Sequence, residues 1–273
     1  MAQAGIFWYN NTKLIPTGRL SASRCFTLRN PLETVTRGEE IGIGLLSVDW
    51  DYFVFTESTY QGSYLENKRS LIDEWYKRYI ISRQKGKDLR DLYRLSPEFR
   101  SFWKKIKEYF KFSDSTKVYV SDSHSLSYEI AAKNHADTVY LFDAHSDLGY
   151  GGMSALNFEV NCANWLGKLL KEGIIERAFI IYSPYTVENP EYFKAMNSRF
   201  NITYTGLDSL KRWSDVSAIH ICRSGAWVPP WFDGEFMEFV GILDMPYEKI
   251  NLMERKWEPE KMSLADRINY MLA

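Results

Sequence analysis

Short apolar runs alternate with amphipathic stretches along the chain from about residue 117 onward. The runs predict strands at 117–121, 138–143, 178–183, 201–205 and 217–222. The stretches between them predict helices at 125–135, 157–171 and 190–200. An earlier run, 41–55, is apolar up to Val48 and then acidic at Asp49 and Asp51. It reads as a buried strand whose C-terminal end carries polar chemistry. Residues 66–112 are rich in helix formers, with a break at Ser96-Pro97, and predict two or three helices inserted into the frame. The first 40 residues read as irregular or short-stranded. Strands alternating with helices imply an α/β fold with a mainly parallel sheet covered on both faces. In such sheets ligands bind at the C-terminal ends of strands. No repeat or linker divides the chain, so one domain over 1–273, with a helical insertion at about 60–112, is the simplest organisation.

Composition narrows the class. Hydrophobic residues are 45%, charged residues 25% and aromatic residues 16% of 273, which excludes disorder and predicts a sizeable core. No apolar run reaches membrane-spanning length, and the N-terminus lacks a basic-then-apolar signal pattern. Cys25, Cys162 and Cys222 are too few and too scattered for a disulfide framework or a zinc knuckle and fit a reducing cytoplasm. The net charge of −1 conceals an asymmetry: residues 68–111 hold 14 Lys/Arg against 6 Asp/Glu. That segment is either a solvated helical face or a docking surface for an acidic partner.

Three predicted strand ends carry acids and histidines: Ser47-Val-Asp49-Trp-Asp51, Ser121-Asp122-Ser-His124-Ser, and Asp143-Ala-His145-Ser-Asp147. Alternate residues of an extended segment face one way, so Asp143, His145 and Asp147 can share a face, as can Asp49 and Asp51. Were these strands neighbours, four carboxylates and two imidazoles would converge. Packed carboxylates cannot all stay ionised without compensation. Divalent cations provide it, and mixed oxygen and imidazole donors suit Mn, Fe or Zn. Six ligands fit two ions ~3.5–4 Å apart, a pair that activates water at neutral pH. His135, at a helix end, and His220, inside a strand, read as structural.

Asp143-Ala-His-Ser-Asp147 resembles the DAHxD signature of the arginase/ureohydrolase superfamily. Ser121-Asp-Ser-His124-Ser is similar to its GGDHS strand end, and Ser47-Val-Asp49-Trp-Asp51 to its SxDxDxxDP strand. The resemblance implies an arginase-like three-layer fold and two Mn2+ per chain. One ion would take His124, Asp143, Asp147 and Asp49; the other would take His145, Asp143, Asp49 and Asp51. Asp147 would orient a nucleophile that attacks a guanidinium carbon and releases urea. The motif order is permuted, since the Asp49 strand precedes the others here. The family's proton-shuttle histidine has no counterpart, and Glu159 is the positional candidate for its role.

Cys162-Ala-Asn164-Trp165 and Arg223-Ser224-Gly-Ala-Trp227-Val-Pro229 resemble an atypical branch that includes peptide arginases, which convert arginine to ornithine within ribosomal precursor peptides. That resemblance implies an arginine-containing peptide as partner, held by its side chain with the backbone outside; the basic charge of residues 68–111 would let an acidic leader dock there. Candidates for contacting it are Asn157, Arg223, Ser224, Asp233 and Glu235, the last two as guanidinium-pairing carboxylates. Trp227, Trp231 and Phe232 line a peptide groove or pack in the core. Gly149, Gly151 and Gly152 form an entrance loop. Members of the superfamily are often homo-oligomers. Competing expectations are a hydrolase of free arginine or agmatine, another metal-dependent C–N hydrolase such as a deacetylase, and a non-catalytic scaffold binding nucleic acid through its basic segment.

Overall fold

The apolar 41–55 run supplies the centre of a parallel sheet. A computed structural model describes residues 43–57 and 66–272; Cys25 and the readings made for the first 40 residues lie outside them. Strand β1 (Gly44–Asp49) is buried at every position, as its unbroken apolarity requires. A 3-10 turn at Trp50–Phe53 leads into β2 (Val54–Thr56). Helix α1 (Glu74–Gln84) follows, and then β3 (Tyr93–Leu95), antiparallel to β2. In α2 (Phe99–Ile106) the buried residues Phe99, Phe102, Trp103 and Ile106 fall at helical spacing and form one apolar stripe. The short β4 (Phe110–Lys111) completes this segment.

Regular alternation begins with β5 (Lys117–Ser121), α3 (Leu126–Lys133), β6 (Thr138–Asp143), α4 (Trp165–Glu172) and β7 (Arg177–Tyr182). It continues through α5 (Lys194–Asn197), β8 (Asn201–Tyr204), β9 (Ser214–Cys222), α6 (Asp233–Ile242), β10 (Tyr247–Ile250) and α7 (Leu264–Leu272). The main sheet runs β10-β5-β9-β1-β6-β7-β8, with β4 beside β9, and its pairings are parallel. No helix among the described residues is long and apolar enough to cross a membrane.

Each strand divides its side chains between two cores. Leu46, Val48, Val118, Val120, Tyr140, Phe142, Ile219 and Ile221 join Trp75, Phe99, Trp103 and Phe239 on one face. Leu45, Tyr119, Val139, Leu141 and Ala218 join Ile130, Trp165 and Leu169 on the other. The 66–112 segment is therefore woven into the core from Trp75 onward. By the same alternation Ser47, Asp49, Ser121, Asp143 and His220 fall on the α3–α4 face.

Two helices are shorter than their patterns predict. Between 157 and 164 the chain is not α-helical, because Asn161 and Asn164 bond to neighbouring backbone N–H groups and stabilise turns instead. Within 190–200 a proline-led 3-10 turn precedes the four-residue α5. Helices α6 and α7 and strand β10 lie beyond the elements that the sequence pattern predicts.

Candidate metal centre

Strands β1 and β6 are neighbours, with Val48 beside Phe142, so Asp49 and Asp143 end adjacent strands on one face. The loops beyond are pinned by their own acids. Asp49 accepts the Asp51 N–H at 3.0 Å, Asp51 that of Ala144 at 3.2 Å and Asp143 that of His145 at 2.8 Å. Asp147 has a left-handed backbone, φ 50°. Its carbonyl accepts the N–H groups of Leu166 and Gly167 at the start of α4, and its carboxylate accepts Trp165 Nε1–H at 2.6 Å. This approach needs Gly167: a Cβ there would lie 2.3 Å from the Leu148 carbonyl oxygen.

His124 reaches the same place from the β5–α3 loop. Its Nδ1 lies 3.1 Å from Asp49, 3.0 Å from Asp143 and 2.9 Å from Asp147 carboxylate oxygens. Neither this nitrogen nor Asp143 Oδ2, both buried, makes an aligned hydrogen bond. On the outer side, His145 Nδ1 is 2.9 Å from Asp51 Oδ2 and 3.5 Å from Asp143 Oδ1. Donor atoms of Asp49, His124 and Asp143 form one compact group and those of Asp51, Asp143 and His145 another, each able to hold a metal ion. Ligands ~2.1 Å from an octahedral ion and at right angles stand ~3 Å apart, which is the spacing around His124. Orphaned buried donors at metal-ligand spacing fit a divalent cation.

The electrostatics agree. Burial, then the charge of Asp51, pushes the Asp49 and Asp143 carboxyls above their ordinary value. Burial opposes charge on His124, but Asp143, Asp147 and Asp49 outweigh it and hold the imidazole well above its usual value. The site favours a cation at that nitrogen edge, whether proton or metal.

The centre floors a cavity of about 700 Å³ whose walls include Val54, Tyr150, Val187, Glu188, Ser224 and Trp227. Ser224, φ 48°, donates its hydroxyl to Asp49. Glu188 accepts the Ser146 N–H at 3.0 Å, the Tyr182 hydroxyl at 3.2 Å and the Tyr150 hydroxyl; burial raises its pKa. Glu66 accepts the Ser123 hydroxyl, its Oε1 is buried without a partner, and burial pushes it up to about 8. Sequence reasoning missed both glutamates. Glu188 follows the C-terminal end of β7, where the strand-end rule applies; Glu66 carries no local signal.

No protein-family profile, curated protein or solved structure matches this chain.

Of the other sequence candidates, Trp227 reaches the cavity and the rest lie elsewhere. Arg223 grips Asp122 through Nε at 2.6 Å and Nη2 at 2.9 Å, and reaches Asp233 at 2.9 Å. Arg255 holds Asp233 from the other side. Arg223 and Asp233 thus form a buried ion network behind the Ser224 turn, outside the cavity lining. Glu235 is half-buried on α6. Asn157 is exposed and accepts from Lys171 Nζ at 2.6 Å, and the Glu159 side chain is exposed. Of the aromatic trio, Trp227 lines the cavity and stands 5.3 Å from the His145 ring, whereas Trp231 and Phe232 pack on the core.

Proposed function

We propose that this protein is a metal-dependent amidinohydrolase of arginase-like fold, acting on the guanidinium group of an arginine side chain in a peptide to give ornithine and urea. The observation that carries the reading is the pair of carboxylate–imidazole groups sharing Asp143, whose members Asp49, Asp51 and His145 line a cavity. Asp49, Asp51, His124, Asp143, His145 and Asp147 would hold two Mn2+ ions. When bound, these supply Lewis acidity and a water of lowered pKa.

The rest is done by the chain itself. Trp165 and Ser224 orient Asp147 and Asp49, and Asp147 orients the attacking water. An ionised carboxylate has about four acceptor sites; Glu188 uses three and keeps capacity for a guanidinium N–H. Val54, Val187 and Trp227 offer apolar wall to the methylenes of the side chain. Tyr150, Tyr185 and Val187 are exposed around the same cavity and suit a peptide backbone lying outside. The basic 68–111 segment is the proposed dock for an acidic leader. Water oxygen joins the guanidinium carbon, the bond from that carbon to the side-chain nitrogen breaks, neutral urea leaves, and the freed nitrogen takes both water protons to become the ammonium of ornithine.

The test is mass spectrometry of arginine peptides incubated with Mn2+-loaded protein, with urea assayed in parallel. Conversion to ornithine, abolished by His145→Ala, supports the reading. Urea from free arginine but not from peptides would move the substrate to a small guanidino compound. Acetate release from acetylated substrates, with no urea, would overturn it.

A further inference from the structure

His220 sits at the middle of the sheet, fully buried, on β9 and directly beside Ser47 of β1. Two hydroxyls bracket it: Ser121 Oγ lies 2.8 Å from Nε2 and Ser127 Oγ 2.6 Å from Nδ1. The chain extends from Ser127 Oγ to Ser47 Oγ at 2.9 Å, and from Ser47 Oγ to His124 Nε2 at 2.7 Å. It therefore joins His220 to a candidate metal ligand.

Each hydroxyl has one proton to give, and the direction is set at the far end. Ser121 donates to the Ser123 carbonyl at 2.9 Å, so it must accept from His220 Nε2–H. No carboxylate pairs with His220 among the described residues, and a buried imidazole without a counter-charge is neutral. Its Nδ1 then accepts from Ser127. Ser127 accepts from Ser47, and Ser47 accepts from His124 Nε2–H. Read through, the chain keeps the proton on His124 Nε2 and leaves Nδ1 as the edge facing Asp49, Asp143 and Asp147.

We infer that His220 is a positioning residue that, through Ser127 and Ser47, locks His124 with Nε2 protonated so that Nδ1 is the edge open to a metal ion. Partners on the far nitrogen of a ligating histidine commonly fix its tautomer; here the partner is a serine relay anchored by a second imidazole. The inference rests on the metal-binding reading of the centre and is independent of the reaction.

The experiment combines Mn2+ titration with 15N-resolved imidazole NMR of Zn2+-loaded protein. Wild type should show a protected His124 Nε2–H. His220→Leu and Ser127→Ala should each weaken Mn2+ affinity by roughly 10–100-fold and lose that protection. His220→Gln, whose amide can accept from Ser127 and donate to Ser121, should restore both. Ser127→Ala removes one hydroxyl and serves if His220→Leu does not fold. Unchanged affinity and a retained Nε2–H signal in Ser127→Ala would overturn the relay alone. Wild-type protein that takes up neither ion would overturn the metal reading and the relay with it.

Discussion

Asp143 belongs to both donor groups, whereas Asp51 belongs to one. Asp143→Asn should therefore abolish all Mn2+ uptake measured by elemental analysis, while Asp51→Asn should keep part of it. Asp143 also governs how the metal-free protein responds to pH. Burial, then Asp51, Asp147 and Asp49, hold its carboxyl well above the ordinary value. A carboxyl raised in the folded state stabilises that state at low pH, and the contribution is lost as pH climbs from the unfolded value through the raised one. In the metal-free wild type this contribution should fall away as pH rises above about 4. Urea titrations of Asp143→Asn should show a flatter slope, by up to about 1.4 kcal/mol per pH unit. An equal slope in both proteins would deny Asp143 this role.

At the scale of elements, the centre depends on how closely α4 meets the loop after β6. Asp147 is fixed by the first turn of α4 through two backbone N–H groups and the Trp165 indole, and the contact closes only because Gly167 has no side chain. Gly167→Ala must push α4 away from the Leu148 backbone. Overpacking of this kind costs about 1–3 kcal/mol, and the shift would carry Asp147 out of reach of His124. Denaturant melts should register the loss of stability, and Mn2+ titration a weaker affinity. A stable Gly167→Ala protein with wild-type affinity would show that α4 does not position the site. On the opposite side, the Arg223–Asp122–Asp233–Arg255 network ties the Ser224 turn to α6 and to the segment after β10. Arg223, a sequence candidate for substrate contact, is engaged in that tie.

For the whole molecule, the sheet order places β1 between β9 and β6, with β5 one strand further out. The crossover from β5 to β6 carries α3 over β9 and β1, and this swings the His124 loop above the end of β1. Side chains from three strand ends are thereby drawn into one buried acidic cluster, which a cation should relieve. An ion bound only by the folded state at 100 times its dissociation constant adds about 2.7 kcal/mol. For a chain of 273 residues that is a rise in Tm of roughly 5 °C. Thermal scans with and without Mn2+, followed by chelator, should show the rise and its reversal. No shift at any Mn2+ concentration would leave the cluster without its proposed occupant.

The sequence by itself determined the local terms. Short unbroken apolar runs alternating with amphipathic stretches are the pattern of parallel strands buried on both faces, so β1, β5 to β9 and the strand-end placement of Asp49, His124 and Asp143 were legible from it. The acid and histidine spacings were equally local, which is why the six proposed ligands could be named in advance. Only tertiary structure decided the rest. Glu66 and Glu188 meet the centre through contacts between segments distant in sequence, and no periodicity encodes them. Arg223 and Asp233 are separate candidates for substrate contact in the chain, yet the fold pairs them with each other and with Asp122 and Arg255, because a buried charge must be paired. Asn161 and Asn164 drew the backbone into turns against the helical pattern of 157–171. His220 reads as one more strand residue until the register sets it beside Ser47. A hydrogen bond's direction depends on what its neighbours have already donated, and that is fixed only when β1, β5, β9 and α3 come together.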